Sequence, residues 1–233
     1  MNLSDFRTRV ARVVGMSTST SADLALIDSW VNEAVIQFLK DTKLNVLKAS
    51  LSVTAGSADY VLDTDILALK DIWYEPANGN GSPVLEPVDS LEIIRMRQYE
   101  GAAAASVMYY AIEGAHLLML HPAPQSSSDK IHLLYVPRPT ASLAATSDSP
   151  ADATRGNIPP EYHPILEEYV LWKAARAEEH KPSENGQVFL AGYERGVAKT
   201  RADLNRKAGV FLPRKVLTRG RGRVAVTPGT DLR

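Results

Sequence analysis

The ionisable side chains that could do chemistry include three histidines in neighbouring segments of predicted strand. His116, His121 and His132 supply imidazole nitrogens, which are common zinc ligands. His116 and His121 are an odd number of residues apart, so a regular strand points them to opposite faces of a sheet. No well-placed carboxylate completes the set, and His163, just before Pro164 in the first turn of a helix, is expected to make a local surface contact. We therefore expect no metal site and no cofactor.

Paired carboxylates are the second candidates, because two of them in one pocket can act as a general acid and base. Adjacent residues on a helix point in different directions, so such pairs usually form a solvated face. The chain has no cysteine, which excludes thiolate catalysis, and residues 79–81 are too short for a phosphate-binding loop. We predict that the protein is not an enzyme and has no catalytic residues. The pairs considered are Glu167 with Glu168, Glu178 with Glu179, and Glu86 with Asp89.

The end of the chain concentrates basic charge. Residues 205–233 contain eight Lys and Arg side chains against the single acid Asp231, a net charge of +7, whereas residues 1–204 carry −8. Apolar side chains stand between the charges, and a purely solvated tail would contain few of them. We predict an extended basic arm over residues 209–233 that becomes ordered on a partner. Its docking residues are expected to be Phe211, Leu212, Arg214, Lys215, Val216, Arg219, Arg221 and Arg223.

Two other interpretations of the arm stay open. Arg and Gly side by side in residues 218–224 are also typical of a nucleic-acid-binding tail, because each cation can neutralise a phosphate. Phe211 is the only nearby aromatic residue, so the stacking platform of single-strand binders is missing. The remaining interpretation is a disordered tail without a partner.

Helical spacing marks both ends of the body. In residues 1–45, apolar residues recur at steps of three and four from Leu3 to Val13, and again after Ser21, a predicted N-cap. Residues 157–208 predict two more amphipathic helices, with Pro160 near the first helix start and Ser183 capping the second. Trp172 falls off the main apolar stripe of its helix. Two interpretations stay open for it: a core or inter-domain anchor, and a residue that faces a neighbouring subunit.

Residues 46–139 change to short segments that are β-branched or aromatic and end at Gly, Pro, Asn or Asp. They predict the strands of an antiparallel sheet, with turns at residues 76–81 and 113–115 and one helix at residues 89–98, capped by Asp89. The predicted strands are residues 47–54, 59–62, 67–75, 106–114, 115–124 and 130–139.

These parts predict an α+β fold. All four terminal helices have an apolar face that needs a partner, so the economical arrangement is a four-helix bundle of two N-terminal and two C-terminal helices. The inserted antiparallel β-domain lies between them, and residues 140–156 form a flexible loop of small and polar residues. No window is apolar enough for a membrane helix and the first residues lack a signal-peptide pattern, which favours a soluble protein without membrane contact.

The order of parts resembles the head-to-tail connector (adaptor) proteins of tailed bacteriophages, including the tail tubular protein A type. The resemblance is carried by WVNEAVIQFL at residues 30–39, VMYYAIEGAHLLMLHPAP at 107–124 and IHLLYVPRPT at 131–140. It continues in IPPEYHPILEEYVLWKAARAEE at 158–179 and AGYERGVAKTRADL at 191–204. Residues 140–156 depart from the family pattern by being longer and less structured.

The resemblance implies a structural virion protein at the capsid vertex. Such adaptors form a ring, commonly of twelve copies, under the portal protein, and the C-terminal segment commonly runs up to the portal. The ring extends the channel through which DNA passes, without sequence-specific binding, and joins a downstream neck, stopper or tail nozzle protein. Assembly in the host cytoplasm is expected.

Overall fold

The structure is a computed structural model that describes residues 1–78, 83–99, 107–114, 116–178 and 184–207. The described residues form an α+β protein, as the sequence predicts, with five α-helices and two β-sheets. The predicted turn at residues 76–81 lies partly outside the described residues, and the predicted helix cap Ser183 lies outside them. In chain order the elements are α1 (Leu3–Val14), α2 (Ser21–Thr42), β1 (Leu47–Ser52), β2 (Asp59–Val61), β3 (Ile66–Glu75), β4 (Glu86–Pro87), α3 (Ser90–Tyr99), β5 (Tyr109–Glu113), β6 (Leu117–His121), β7 (Lys130–Pro137), α4 (His163–Glu178) and α5 (Glu184–Lys207).

The first two helices have different N-terminal caps. Asn2 and Asp5 exchange backbone-to-side-chain hydrogen bonds of 2.9 Å at the start of α1, which satisfies two amides that the helix itself leaves free. The predicted Ser21 cap of α2 is wrong: the helix begins at Ser21, and Thr20 is the cap residue and makes no side-chain cap bond.

Helices α1, α2, α4 and α5 bury their apolar faces in one common core. Phe6 of α1 and Phe38 of α2 are fully buried there, and each large side chain removed from water stabilises the fold by about 1.5–3 kcal/mol. Val13, at the end of the predicted apolar stripe of α1, is 53% exposed instead. Val136 of β7 also enters this core, so the strands and helices share buried surface.

The strands form two sheets, with strand orders β1-β7-β3 and β2-β6-β5-β4. Every pair is antiparallel except β4 with β5, which is parallel. This corrects the prediction of a purely antiparallel domain. The physical reason is α3, which lies between β4 and β5 in the chain, because a helical crossover returns the chain to start the next strand in the same direction. The predicted β5–β6 hairpin is present.

A second core lies between the two sheets. It contains side chains from both, among them Ile72 and Tyr74 of β3 and Leu118 of β6. On the other face of the second sheet, Ile93 of α3 packs with Ala111 and Met119. Asp89 caps α3 as predicted, since its carboxylate accepts a hydrogen bond of 2.8 Å from the amide of Leu91.

Residues 140–156 contain no helix or strand, yet their backbone is extensively hydrogen-bonded. Asn32 of α2 binds the amide and the carbonyl of Leu143 at 2.8 and 3.0 Å. The Asp148 carboxylate accepts bonds from two backbone amides and pairs with Arg155 at 3.1 Å. The flexibility of this segment in solution stays a prediction, but these contacts fix its path over α2.

Candidate assembly surfaces

The predicted docking arm begins where the described structure ends. Helix α5 ends at Lys207, and residues 208–233 lie outside the described residues. All eight predicted docking residues, from Phe211 to Arg223, therefore lie outside them. The structure describes the base of the arm, where α5 exposes Lys199, Arg201 and Arg206 beside Lys207.

A groove of about 660 Å³ opens at this base, between the start of α4 and the end of α5. Tyr162 and Ile165 supply apolar surface from the α4 side, and Gly196 and Thr200 line it from α5. The Thr200 hydroxyl donates to the Gly196 carbonyl at 2.9 Å, so this polar side chain is satisfied inside its own helix. The floor of the groove is mainly apolar.

The groove depends on the close approach of α4 and α5. A Cβ atom at Gly196 would lie 2.7–3.0 Å from three side-chain atoms of Ile165, which is closer than real Cβ contacts. Only glycine therefore fits here without movement. Sequence reasoning missed the groove because it is formed by residues from two helices whose contact cannot be read from either helix alone.

Charged side chains surround the groove. Lys199, Arg206 and Lys207 contribute positive charge, and Glu161 and Asp203 contribute negative charge. Asp203 pairs with Arg206 at 3.5 Å. Within the described residues, neither lysine forms an ion pair, so the rim carries a positive excess.

Trp172, the predicted subunit-interface residue, is half-buried on α4. Its ring meets Tyr169 edge-on with centroids 5.2 Å apart. The Lys173 ammonium and the Arg176 guanidinium lie 5.5 and 5.3 Å from the Trp172 ring centroid, within the range of cation–π attraction. The indole thus combines an aromatic surface with two adjacent cations. Its position at an interface stays a prediction.

Two buried tyrosines hold carboxylates of α2 against the C-terminal helices. Tyr169 donates to Glu33 at 2.9 Å, and Tyr193 donates to Asp41 at 2.7 Å. Burial, and then the bond to its carboxylate, raises the pKa of each tyrosine above its ordinary value. Burial opposes the ionisation of Glu33, but hydrogen bonds from Lys173 and Tyr169 outweigh it and lower its pKa. Both tyrosines therefore stay protonated donors.

A comparable pair lies in the β-domain. The Tyr74 hydroxyl donates to Asp129 at 2.5 Å, and both residues are buried. Asp129 also accepts from the amides of Ala77 and Ser126 at 2.9 and 3.1 Å. Burial alone would raise the pKa of Asp129, but these donors lower it overall. Burial and Asp129 together raise the pKa of Tyr74. This carboxylate holds a loop to β3 and has no free coordination for catalysis.

His163 is buried, which corrects the prediction of a surface contact. The 3-10 turn Pro160–Tyr162 directs it inward, where it is 1% exposed. Its Nε2–H donates to the carbonyl of Ile158 at 3.0 Å, so its Nδ1 accepts from the amino group of Met1 at 3.0 Å. Burial lowers the pKa of His163.

His132 lies in a row of side chains that the sequence did not predict. Strand pairing places Ser50, His132 and Trp73 side by side on the outer face of the first sheet. The Ser50 hydroxyl bonds Nδ1 of His132 at 2.8 Å, and Nε2 contacts the Glu75 carboxylate. The Trp73 ring stacks on the imidazole with centroids 5.0 Å apart. The bond from His132 lowers the pKa of Glu75.

A serine, a histidine and a carboxylate in a chain resemble the groups of a hydrolase. A nucleophilic serine also needs preorganised donors for the developing oxyanion, and Ser50 lies in the middle of a regular strand. The row of Ser50, His132 and Glu75 fits a structural role, in which side-chain hydrogen bonds hold β1, β7 and β3 in register. Only the strand order brings these residues together, and the sequence does not give that order.

The carboxylate pairs separate between different neighbours. Glu167 pairs with Arg9 of α1 at 3.1 Å, whereas Glu168 lies against Gly192 of α5. Burial, and then the charge of Glu167, raises the pKa of Glu168. Asp89 is engaged as the cap of α3. The side chains of Glu178 and Glu179 lie outside the described part.

Exposed apolar side chains cluster on the β-domain. α3 buries Ile93 but exposes Leu91, Ile94 and Tyr99, and Tyr99 is 84% exposed. Val61 of β2, Val84 and Met108 are also exposed on the β-domain. On α3, Leu91, Met96 and Tyr99 line one surface depression, and exposed apolar surface that forms a patch marks interaction sites in soluble proteins.

Metal sites and membrane-spanning helices are two further features that the described residues can be examined for. Among the described residues, no group of three or more His, Cys, Asp or Glu side chains is placed to hold a metal ion. None of the helices in the described part is both long and apolar enough to span a membrane.

Comparison with known proteins gives one family. A family model described as SU10 adaptor protein matches residues 1–215. The matched span contains every helix and strand described above and extends to Lys215 in the arm. No curated protein matches the chain.

Proposed function

The chain belongs to the SU10 adaptor protein family of phage head-tail adaptors, and from that membership we propose that it joins capsid to tail as a ring under the portal protein. The family confirms the resemblance found in the sequence and makes the chain a structural virion component. Twelve copies, an extension of the DNA channel and the absence of catalytic activity belong to the proposal. The observation that carries it is the match over residues 1–215.

We infer that α1, α2, α4 and α5 act as one four-helix bundle that carries residues 46–139 as an inserted β-domain. The shared core of the four helices supports this division. The first and last strands of the insert, β1 and β7, are paired neighbours, with Leu47 opposite Tyr135. The chain therefore leaves and re-enters the bundle at nearly the same place.

The arm, residues 209–233, is proposed to dock on the portal. Its cations would meet acidic portal surface and orient the approach. Phe211, Leu212 and Val216 would fill apolar pockets and supply most of the affinity. An arm that becomes ordered on its partner loses conformational entropy at that step, so assembly can wait for the portal.

Trp172 is proposed to face a neighbouring copy in the ring. Aromatic and Arg side chains are enriched at protein interfaces, and Trp172 has Arg176 and Lys173 beside its ring. Lys173 already pairs with Glu33 at 2.6 Å, so the acidic partner for Arg176 would come from the neighbour, whose body carries a net negative charge.

The apolar surface around α3 is proposed to receive the downstream neck, stopper or tail nozzle protein. An inserted domain projects from the bundle that carries it, and this one exposes Val61, Leu91 and Tyr99 to solvent. Burial of such side chains in a partner would remove the unfavourable contact with water.

The negative charge of the body fits a conduit for DNA. Residues 1–204 carry −8, and a channel wall that attracted phosphates would slow the passage of DNA. We propose that genomic DNA passes the ring without sequence-specific contacts and that the ring is assembled in the host cytoplasm.

The test is assembly with purified portal, viewed by negative-stain electron microscopy, with mass measurement of the product. The full chain should add a ring to one face of the portal. A chain that ends at Gly209 should keep its far-UV circular dichroism and fail to join, because it lacks the docking residues.

Two outcomes would contradict the proposal. Normal ring addition by the truncated chain would remove the arm from the portal contact. A full chain that stays free of the portal but binds DNA in a salt-sensitive manner would favour the alternative, a nucleic-acid-binding protein that uses its basic tail.

A further inference from the structure

We propose that the groove between α4 and α5 is a second portal-binding site, which receives an apolar side chain from an acidic segment of the portal protein. This inference rests on the proposed function. There the portal contact is made by the arm alone, and the groove adds a second contact made by residues that the structure describes. The groove is called the arm-base groove below. Its floor is formed by Tyr162, Ile165 and Gly196. The charged residues of its rim are Glu161, Lys199, Asp203, Arg206 and Lys207.

The floor determines which side chain it can take. The accessible lining of the groove is mainly carbon, and the Thr200 hydroxyl, in a residue that is 1% exposed, is already bonded to Gly196. A polar side chain entering the groove would lose water without gaining a partner from these groups, which is costly. An apolar side chain gains about 25 cal/mol for each Å² that it buries.

The rim determines the charge of the occupant. Asp203 is engaged with Arg206, which leaves Glu161 against Lys199 and Lys207, neither of which forms an ion pair within the described residues. The rim therefore keeps a positive excess. An acidic occupant would pair with these lysines. A basic occupant would be repelled by them.

This charge argues against the protein's own arm as the occupant. Phe211 lies four residues beyond Lys207, so an extended chain could carry it roughly 13 Å, far enough to turn back into the groove. Residues 208–233, however, contain six Lys and Arg side chains against one acid, a net charge of +5, and like charges around the rim oppose that contact.

Position favours the portal over a second copy of the chain. The acidic body of a neighbouring copy could also pair with the lysines of the rim. Lys207, however, is both a rim residue and the last described residue before the arm. A partner bound by Phe211 and Leu212 must therefore lie within a few residues of the groove. Lys207 thus places the groove at the end of α5 from which the chain continues into the arm.

The absence of cysteine from the chain permits a site-specific test. Lys199→Cys is labelled with benzophenone maleimide, mixed with purified portal rings and irradiated, and the cross-linked peptides are mapped by mass spectrometry. Lys130→Cys, at the exposed first residue of β7 in the β-domain, is the matched control. The groove label should link to the portal at an apolar residue flanked by Asp or Glu, and the control label should not.

Charge reversal supplies the second measurement. Lys199→Glu with Lys207→Glu should weaken portal binding by about tenfold or more, because both rim charges change sign. Lys70→Glu with Lys130→Glu changes the net charge equally on the β-domain and should leave affinity nearly unchanged.

Cross-links only to the protein's own arm or to a second copy would overturn the inference, as would equal affinity for the two double variants. If either result occurs while the chain ending at Gly209 still fails to bind, only the groove inference is wrong and the arm docking stands. If the full chain does not join the portal at all, both proposals are wrong.

Discussion

Two tyrosine–carboxylate pairs show at the scale of single residues how burial sets the importance of a hydrogen bond. Asp129 is 4% exposed and keeps its charge because Tyr74 and two amides donate to it. The side chain of Glu33 is 45% exposed and also pairs with Lys173 at 2.6 Å, so water and a cation remain if Tyr169 is lost. An unsatisfied group costs most where water cannot reach it.

Tyr74→Phe should therefore destabilise the protein more than Tyr169→Phe. We expect a loss of about 1–3 kcal/mol for Tyr74→Phe, because a buried carboxylate loses a donor, and under about 1 kcal/mol for Tyr169→Phe. Urea unfolding followed by circular dichroism measures both. Equal losses would show that water reaches Asp129 as readily as Glu33.

At the scale of elements, the crossing of α4 and α5 depends on two glycines one helical turn apart. Gly196 faces the branched side chain of Ile165, while Gly192 faces the end of the flexible Glu168 side chain. Both positions save space, but only Ile165 is unable to move away, because it packs against the helical core. The two sites therefore separate the effect of packing from that of helix propensity.

Gly196→Ala should destabilise the protein by about 1–3 kcal/mol, because overpacking outweighs the gain in helix propensity. Gly192→Ala should be neutral or stabilising by up to about 1 kcal/mol, because the Glu168 carboxylate can swing aside and alanine favours the helix. Thermal unfolding of the two variants beside the parent compares them directly. A stabilising Gly196→Ala would mean that α4 and α5 separate easily at this point.

At the scale of the whole molecule, His163 joins three parts of the chain. It lies at the start of α4, bonds the carbonyl of Ile158 at the end of the irregular segment, and contacts the amino group of Met1 before α1. Phe6 of α1 lies with its ring centroid 6.3 Å away. Protonation of this imidazole would place a charge inside the helical core beside the Met1 ammonium.

Stability should therefore fall as the pH drops from about 7 to about 5. The pKa of His163 is lowered in the fold, so the unfolded chain binds a proton first, near its ordinary value of about 6.5. The stability that the neutral His163 contributes to the fold is therefore complete above about pH 6.5 and is lost as the pH falls below it. Asp129 and Asp148, whose pKa values are lowered, lose their contributions only below about pH 4.

Urea unfolding at several pH values measures this effect. His163→Gln, which cannot titrate, should be less stable than the parent at pH 7 but should lose less stability on the way to pH 5. An identical pH dependence in the two proteins would assign the effect to other groups.

The sequence predicted the features that depend on local pattern. The spacing from Leu3 to Val10 predicted a buried helix face, and the short β-branched segments predicted six of the seven described strands, because periodicity acts within one element. The two-residue strand β4 and the division into two sheets were missed. Asp89 was found as a cap because its bond to Leu91 spans two residues.

Features that join distant residues could not be predicted. The Ser50–His132–Glu75 row requires β1 and β3 on either side of β7, and the buried position of His163 requires the path of residues 140–158. The arm-base groove requires a helix crossing set by Gly196 and Ile165. Each depends on which elements become neighbours, and no pattern within one segment contains that information.

The insertion of the β-domain into the helical part has a consequence for synthesis on the ribosome. The seven strands of the described residues lie between Leu47 and Pro137, so both sheets can pair once that stretch has emerged, while Val136 still waits for the helical core. Helices α1 and α2 must wait until α4 and α5 follow, because Trp30, Val31 and Phe38 share a core with both. A nascent chain thus carries an uncovered apolar helix pair for more than half of its translation, and it gains its shared core only when the segment next to the arm has been made.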